Sequence, residues 1–144
     1  MKDQVLRIEY FTLAAEDKPG VGADLGKRLA KEGVNLLGLL AFPTEPGKVQ
    51  VDLIAENPDS LTKAAKKIGL KLSEPKIAFL VQGTDRAGAM GELLDRLGTN
   101  GINVRATLGV CAGGNRYGSL IWVEPAKVEA AARALGATVA AHHV

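Results

Sequence analysis

The amino-acid sequence predicts an α+β protein in which two similar modules pack together, and three observations support this prediction. The chain has 144 residues, of which 47% are hydrophobic, so it can build two small cores. The segment Asp17-Lys-Pro-Gly20 recurs 68 residues later as Asp85-Arg-Ala-Gly88. In both halves, strand-like alternation and helix-like spacing of apolar residues follow one another in the same order.

The offset of 68 residues also relates positions well beyond this motif. Ordered matches at one offset indicate an internal repeat. We therefore expect one module over residues 1–73 and a second over residues 74–144, joined by a short linker at 72–75. The matched pairs include Leu25 with Leu93, Leu29 with Leu97, Gly33 with Gly101, and Asn35 with Asn103.

The first half of the first module reads as a strand followed by a helix. Residues 5–13 are apolar and rich in residues that favour strands. Pro19 and Gly20 are typical of a helix start, and Gly33 is typical of a helix end. Between them, apolar residues at four-residue spacing predict one buried stripe, formed by Val21, Leu25 and Leu29.

The rest of the first module reads as a hairpin, a helix and a short strand. Residues 36–42 and 49–55 are predicted strands, separated by a turn that contains two prolines and a glycine. Asn57-Pro58 predicts the start of a second helix, because asparagine caps helices and proline fits the first turn. Gly69 ends this helix, and residues 70–72 are predicted to form the last strand.

The second module repeats this order. The order strand, helix, strand, strand, helix, strand is the ferredoxin-like βαββαβ unit. Predicted strands cover 77–81, 104–110, 117–123 and 137–140, and predicted helices cover 89–99 and 126–135.

The two motifs resemble the signature of ACT domains, in which Asp-x-Pro-Gly precedes a helix of about a dozen residues and then Gly-(Val/Ile)-Asn. The resemblance covers nearly the whole chain in two copies. It implies allosteric sensing of a free amino acid at the interface between paired domains, and regulation of an enzyme. It implies a ligand-binding loop at Asp17, Pro19, Gly20, Val21 and Gly22, and another at Asp85, Gly88, Ala89 and Met90, each completed by Asn35 or Asn103 of the neighbouring domain.

The chemistry of these residues suits a zwitterion independently of the resemblance. The first turn of a helix offers unpaired N–H groups and a partial positive charge to a carboxylate. Gly20 and Gly22 carry no side chain that would hinder close approach. Asp17 or Asp85 can pair with the ammonium group, although both aspartates are equally suited to cap a helix.

The two copies are not equivalent. Ala87 stands where the first loop has the rigid Pro19, and Met90 stands where the first loop has Gly22. We therefore expect the first site to be the tighter or the only occupied one. A serine-type side-chain contact is in doubt, because the serine-sensing relatives have a histidine where this chain has Ala15 and Gly83.

Other functions find less support in the sequence. An acylphosphatase-like loop at residues 81–83 has Ala87 at the position where the arginine should stand, and Asp85 would repel a phosphate. An RNA-binding sheet would need more aromatic residues than the 4% present. We predict no catalytic residue, no metal site and no cofactor; the only histidines, His142 and His143, stand at the C-terminal end. Cys111 lies in an apolar strand and is expected to be buried.

The remaining expectations concern partners. The net charge of +2 argues against a nucleic-acid partner, and no apolar run is long enough to suggest a membrane span. We expect a cytoplasmic protein that forms a dimer. Strict alternation would put Leu37 and Leu39 on an apolar face that another surface covers. An oligomerisation module without a ligand is the alternative function.

Overall fold

The computed structural model describes residues 3–140, so His142 and His143 lie outside the described residues. Within this range the chain forms two compact units. Unit 1 combines residues 3–8 with Ile77–Ala140, and unit 2 comprises Glu9–Lys76. Both units contain helices and mainly antiparallel strands, which confirms the α+β prediction.

Unit 2 is a small antiparallel sheet with two helices. Its elements are the later part of β1 (Gln4–Glu16), α1 (Val21–Lys31), β2 (Leu36–Glu45), β3 (Lys48–Ala55) and α2 (Pro58–Ile68). The strand order is β2-β3-β1, with Phe11 opposite Leu53 and Leu39 opposite Leu53 on its other side. The predicted stripe of α1 is confirmed for Leu25 and Leu29, which are buried in the same apolar cluster as Leu53, whereas Val21 is only half-buried.

The start of α2 follows from its capping residue. Asn57 is extended, and its side-chain oxygen accepts hydrogen bonds from the N–H groups of Asp59 (3.0 Å) and Ser60 (3.3 Å). Pro58 occupies the first turn, where a missing N–H costs nothing. Gly69 ends the helix with a φ of 77°. Local sequence therefore determines both ends of this helix, as predicted.

The short strand predicted at residues 70–72 does not form. The segment still runs beside β1, because Ser73 N–H donates to the Thr12 carbonyl at 2.9 Å. The return bond, however, goes from Thr12 N–H to the Ser73 side-chain hydroxyl at 2.9 Å. A hydroxyl has taken the place of the backbone carbonyl, so no regular ladder develops.

Unit 1 has the same element order and, in addition, a short last strand. It contains β4 (Lys76–Thr84), α3 (Ala89–Thr99), β5 (Val104–Gly113), β6 (Arg116–Val123), α4 (Val128–Leu135) and β7 (Thr138–Val139). The strand order is β4-β6-β5. Helix α3 has the predicted bounds, whereas α4 begins two residues later than predicted because Pro125–Lys127 forms a 3-10 turn.

The first residues of β1 belong to unit 1. Leu6 and Arg7 pair in parallel with Thr138 and Val139 of β7. Val5 is buried in the apolar cluster of unit 1 together with Phe79 and Ile121. Arg7 also forms an ion pair of 2.8 Å with Glu129 of α4. The last strand of unit 1 is therefore held by the beginning of the chain.

One predicted burial is wrong. Cys111 is exposed, because β5 pairs only with β6 among the described strands and lies at the end of the strand order. Burial on β5 is low along its whole length, so apolar character there does not indicate a core position.

The capping assignments can be tested by substitution. We expect Asn57→Ala to lower the free energy of unfolding by about 1 kcal/mol, because the N–H groups of Asp59 and Ser60 lose their acceptor. Asp17→Ala, at a residue without a capping bond, should leave stability nearly unchanged. Urea denaturation measures both. Equal losses in the two variants would contradict the assignment.

Candidate functional site

The Asp-x-x-Gly motif folds as a tight turn in both units. In unit 2, Val21 N–H donates to the Lys18 carbonyl at 3.4 Å, and Gly20 has φ 90° and ψ −15°. These angles at the third residue define a type II turn, which requires glycine there. Ala89 N–H and the Arg86 carbonyl form the matching bond at 3.3 Å, around Gly88 with φ 85°.

Neither aspartate of the motif caps the following helix, so the capping role considered for Asp17 and Asp85 is wrong. The residues at the cap positions are Gly20 and Gly88, and no side chain bonds to either helix start. Instead, the Asp17 N–H donates to the Gly47 carbonyl at 3.0 Å. The start of α1 therefore has no side-chain acceptor, although the Val21 N–H is engaged in the turn, and the exposed Asp17 precedes it in the chain.

A β-bulge changes which side chains of β2 face α1. The pairing of β2 with β3 shifts between Leu36 and Gly38. Beyond the bulge, Leu39 lies opposite Leu53, and Ala41 lies opposite Val51. Directly opposite residues share a face, and Leu53 and Val51 face the core with α1. Strict alternation across this strand was therefore a wrong assumption, and Leu39 and Ala41 lie on the helix side.

The helix side of β2 remains partly uncovered. Leu39 is 49% exposed and Leu37 is 39% exposed. A side-chain carbon placed on Gly22, in the first turn of α1, would meet nothing within 4 Å. The space around Gly22 is therefore open, and apolar side chains of β2 are partly exposed. Burial of Leu37 and Leu39 by another surface stays a prediction.

The corresponding space in unit 1 is filled. Met90 occupies the position that Gly22 has in unit 2, and its Cγ and Sδ lie 3.2 Å from where a Cβ on Gly109 would stand. Gly109 corresponds to Ala41 at the offset of 68 residues. The Met90 side chain therefore covers β5, as its bulk led us to expect.

Ion pairs anchor the second loop. The Arg86 guanidinium donates to both carboxylate oxygens of Asp3 at 3.1 Å each, and to both oxygens of Glu92 at 3.0 and 3.3 Å. It also donates to the Thr84 carbonyl at 3.1 Å. The Asp3 side chain is only 2% exposed. In the first loop, Lys18 pairs only with the exposed Glu16, at 3.1 Å.

The contacts around Arg86 and Asp3 shift the pKa values of neighbouring side chains. The hydrogen bonds from Arg86 hold the pKa of Asp3 below its ordinary value, against the opposing effect of burial. The same partner lowers the pKa of Glu92. Burial, and then the neighbouring Asp3 carboxylate, raise the pKa of Tyr117 to about 12. The buried Tyr117 hydroxyl is close to Asp3 without the geometry of a full hydrogen bond.

Cys111 lies beside the second loop as well. The neighbouring Asp85 carboxylate, followed by partial desolvation, raises the pKa of its thiol. A raised pKa disfavours the thiolate, which is the nucleophilic form. Cys111 is therefore poorly suited to nucleophilic chemistry.

The structure brings together only part of each predicted site. The residues of loop 17–22 are adjacent, and so are those of loop 85–90. Asn35 and Asn103 are exposed, but each precedes the strand that follows the helix, at the opposite end of that helix from the loop. An 11-residue helix is about 16 Å long. Neither asparagine can reach the loop of its own unit.

Sequence reasoning missed the residues that distinguish the two loops. Arg86 stands inside the second motif, but its main partner, Asp3, is 83 positions away. Ser119 and Tyr117 lie on β6 beneath the second loop's helix and were not singled out. Only a comparison of aligned copies would have drawn attention to them, since the first copy has Val51 and Val49 at these positions.

Neither a metal-binding cluster nor a membrane-spanning helix is found among the described residues. In the range 3–140, no group of three or more His, Cys, Asp and Glu side chains is arranged to hold a metal ion. None of the helices in that range has the length and apolar character needed to cross a bilayer.

The fold is shared with regulatory proteins of known structure. No protein-family model matches the sequence, and no curated protein matches it at a significant level. Protein BT0572 from Bacteroides thetaiotaomicron superimposes with a TM-score of 0.76 and 19% identity, over 93% of this chain and 88% of its own. The ligand-free regulatory subunit of aspartate kinase from Thermus thermophilus gives 0.62 and 15%, over 94% and 95%.

A second aspartate kinase regulatory subunit, from Thermus flavus, gives a TM-score of 0.53 and 16% identity, over 94% of each chain. Identities this low establish similarity of fold. The kinase proteins are described as regulatory, and the chain covers nearly their whole length.

The anchor of the second loop makes stability depend on pH. We expect Asp3→Asn to lower the free energy of unfolding by on the order of 1.5 kcal/mol at about pH 7. Because the pKa of Asp3 is lowered on folding, its contribution is complete above the ordinary carboxyl pKa of about 3.9. The contribution is lost as the pH falls through the folded-state pKa.

Urea denaturation at about pH 7 and about pH 2.5 measures this difference. The difference in the free energy of unfolding between Asp3→Asn and the unmodified chain should be smaller at the lower pH. Glu45→Gln, at an exposed carboxylate of β2, is the control and should show no gap. A gap that is absent at neutral pH would contradict the anchoring role.

Proposed function

We propose that this protein is a non-catalytic regulator built from two ACT-type modules, which binds a free amino acid at loop 17–22. The similarity of fold to aspartate kinase regulatory subunits supports a regulatory role. The recurrence of turn, helix and strand bounds at an offset of 68 residues supports two modules, with repeats at 1–73 and 74–144.

One observation carries the proposal. At loop 17–22, a helix start without a side-chain cap follows an exposed carboxylate, and the space around Gly22 is open. The N–H groups of the first turn suit the ligand carboxylate, and Asp17 suits its ammonium group. Leu39 and Ala41 suit an aliphatic side chain.

The finer parts of the proposal concern assembly. A zwitterion held only at loop 17–22 would be half solvated, and an amide from a neighbouring module would complete its coordination. We assign this role to Asn103, and Asn35 has the same role toward loop 85–90. We further propose a cytoplasmic homodimer that regulates a partner enzyme.

An oligomerisation module without a ligand is the second candidate. The stretch from Val34 to Thr44 contains no charged residue, although β2 pairs only with β3 among the described strands. Natural edge strands commonly carry charges that prevent association. Leu37, Leu39 and Phe42 are each more than a third exposed on this strand, which favours a subunit contact.

Gly22→Met is the decisive test. The substitution places in the first loop the residue that fills the second, and no atom lies within 4 Å of the new Cβ, so the chain should fold. We expect at least a hundredfold loss of affinity for the amino acid that a thermal-shift screen of the standard twenty identifies. Calorimetry measures the affinity.

Gly22→Ala is the matched control. It gives the same gain in helix propensity, about 1 kcal/mol, with little bulk. This variant should keep affinity within a few-fold of the unmodified chain. Unchanged binding in Gly22→Met would place the ligand elsewhere, and the absence of binding by all twenty amino acids would favour the oligomerisation module.

Asp17→Asn tests the ammonium contact. Loss of a charge-assisted hydrogen bond worth about 1.5–3 kcal/mol should weaken binding by roughly ten- to a hundredfold. Because Asp17 does not cap α1, the melting temperature should not change. Intact binding in this variant would assign recognition to the backbone amides instead.

A further inference from the structure

A buried hydroxyl without a partner lies under the second loop. Ser119 of β6 is 4% exposed, and its Oγ makes no hydrogen bond within the described part of the chain. It lies opposite Gly109 of β5 on one side and Val81 of β4 on the other. Val81 is fully buried in the core of unit 1, so Ser119 faces the helix side of its sheet.

Met90 lies over the strand next to this hydroxyl. Its thioether covers Gly109, the cross-strand neighbour of Ser119. Met90 lies in the first turn of α3, an 11-residue helix that begins at Gly88 without a side-chain cap. The helix start and the unpartnered hydroxyl are thus two independent polar features, and the flexible side chain of Met90 lies over the strand residue next to that hydroxyl.

In the first module, the position that corresponds to Ser119 holds an apolar residue with a purely structural role. The position corresponding to Ser119 is Val51, which is buried in an apolar cluster with Leu25 and Leu29. A buried hydroxyl without a partner is costly, whereas valine at the same place is not. Because only the second copy has this unfavourable buried hydroxyl, we expect Ser119 to have a function in that copy.

We infer that loop 85–90 encloses a second, chemically distinct subsite, which takes an amino acid whose side chain carries a hydroxyl group. This inference rests on the proposed function. Ser119 exchanges a hydrogen bond with the ligand hydroxyl, and the uncapped start of α3 receives the carboxylate. Met90 is the gate that changes rotamer when the ligand enters. Loop 17–22, with Val51 in place of Ser119, takes an aliphatic side chain.

L-Threonine and L-valine are the appropriate probes. They have nearly the same shape and differ in one hydroxyl. A site that hydrogen-bonds a hydroxyl rejects an analogue lacking it, because its own polar group is then left unpaired. A site with an apolar floor separates the two much less.

The experiment isolates the second loop in the full chain. Gly22→Met closes the first loop, and Met90→Ala opens the second. Calorimetry on this double variant should show about tenfold tighter binding of L-threonine than of L-valine, the effect of one neutral hydrogen bond. Adding Ser119→Ala should bring the ratio close to one. Met90→Leu in the Gly22→Met background keeps the gate filled and should bind both probes weakly.

A measurement without ligand supports the interpretation independently. Removing a buried hydroxyl that has no partner should leave the melting temperature of Ser119→Ala equal to or above that of the unmodified chain. A lowered melting temperature would mean that an internal partner already satisfies Ser119, and would overturn the inference.

Three further results would also overturn it: equal affinity for the two probes in the double variant, a threonine preference that survives Ser119→Ala, or no binding of either probe. The proposed function is tested separately, by whether the unmodified chain binds any amino acid and loses it on Gly22→Met. Binding at the first loop together with a failure at the second refutes only the inference.

Discussion

In both compact units, a glycine turns the chain from the first strand into the first helix. With φ near 90° at Gly20 and Gly88, the chain passes from strand to helix through a type II turn, and other residue types are strained there. In each unit the glycine of the turn stands at the helix cap position, so no side chain caps the helix there. Each first helix therefore begins without a side-chain cap, and the first turn of the helix contains Gly22 in one unit and Met90 in the other.

Elements whose signals are local were predictable from the sequence. Helix α3 has its expected bounds, and Asn57 and Gly69 delimit α2 as their propensities require. Elements that depend on distant partners were not predictable from the sequence. The strand expected at 70–72 fails because of a hydroxyl on Ser73, and β7 pairs with Leu6 and Arg7 at the other end of the chain.

The geometry of the two candidate loops was predictable only in part, and their role in ligand binding stays a prediction. The motif located both loops, and the exchange of Gly22 for Met90 correctly indicated which is more open. The bulge after Leu36 could not be inferred, because alternation assumes an unbroken ladder and one extra residue reverses every later side chain. Arg86 and Ser119 owe their importance to cross-strand neighbours, which have no signature in the linear sequence.

Because unit 1 combines two segments that are distant in the chain, it can fold only after both have been synthesised. This unit joins residues 3–8 to Ile77–Ala140, and unit 2 lies between them in the chain. On the ribosome, the residues of unit 2 emerge as one continuous stretch and can fold while synthesis continues. Residues 3–8 are made before unit 2, and Leu6 and Arg7 can complete their pairing with β7 only after Thr138 and Val139 have been made.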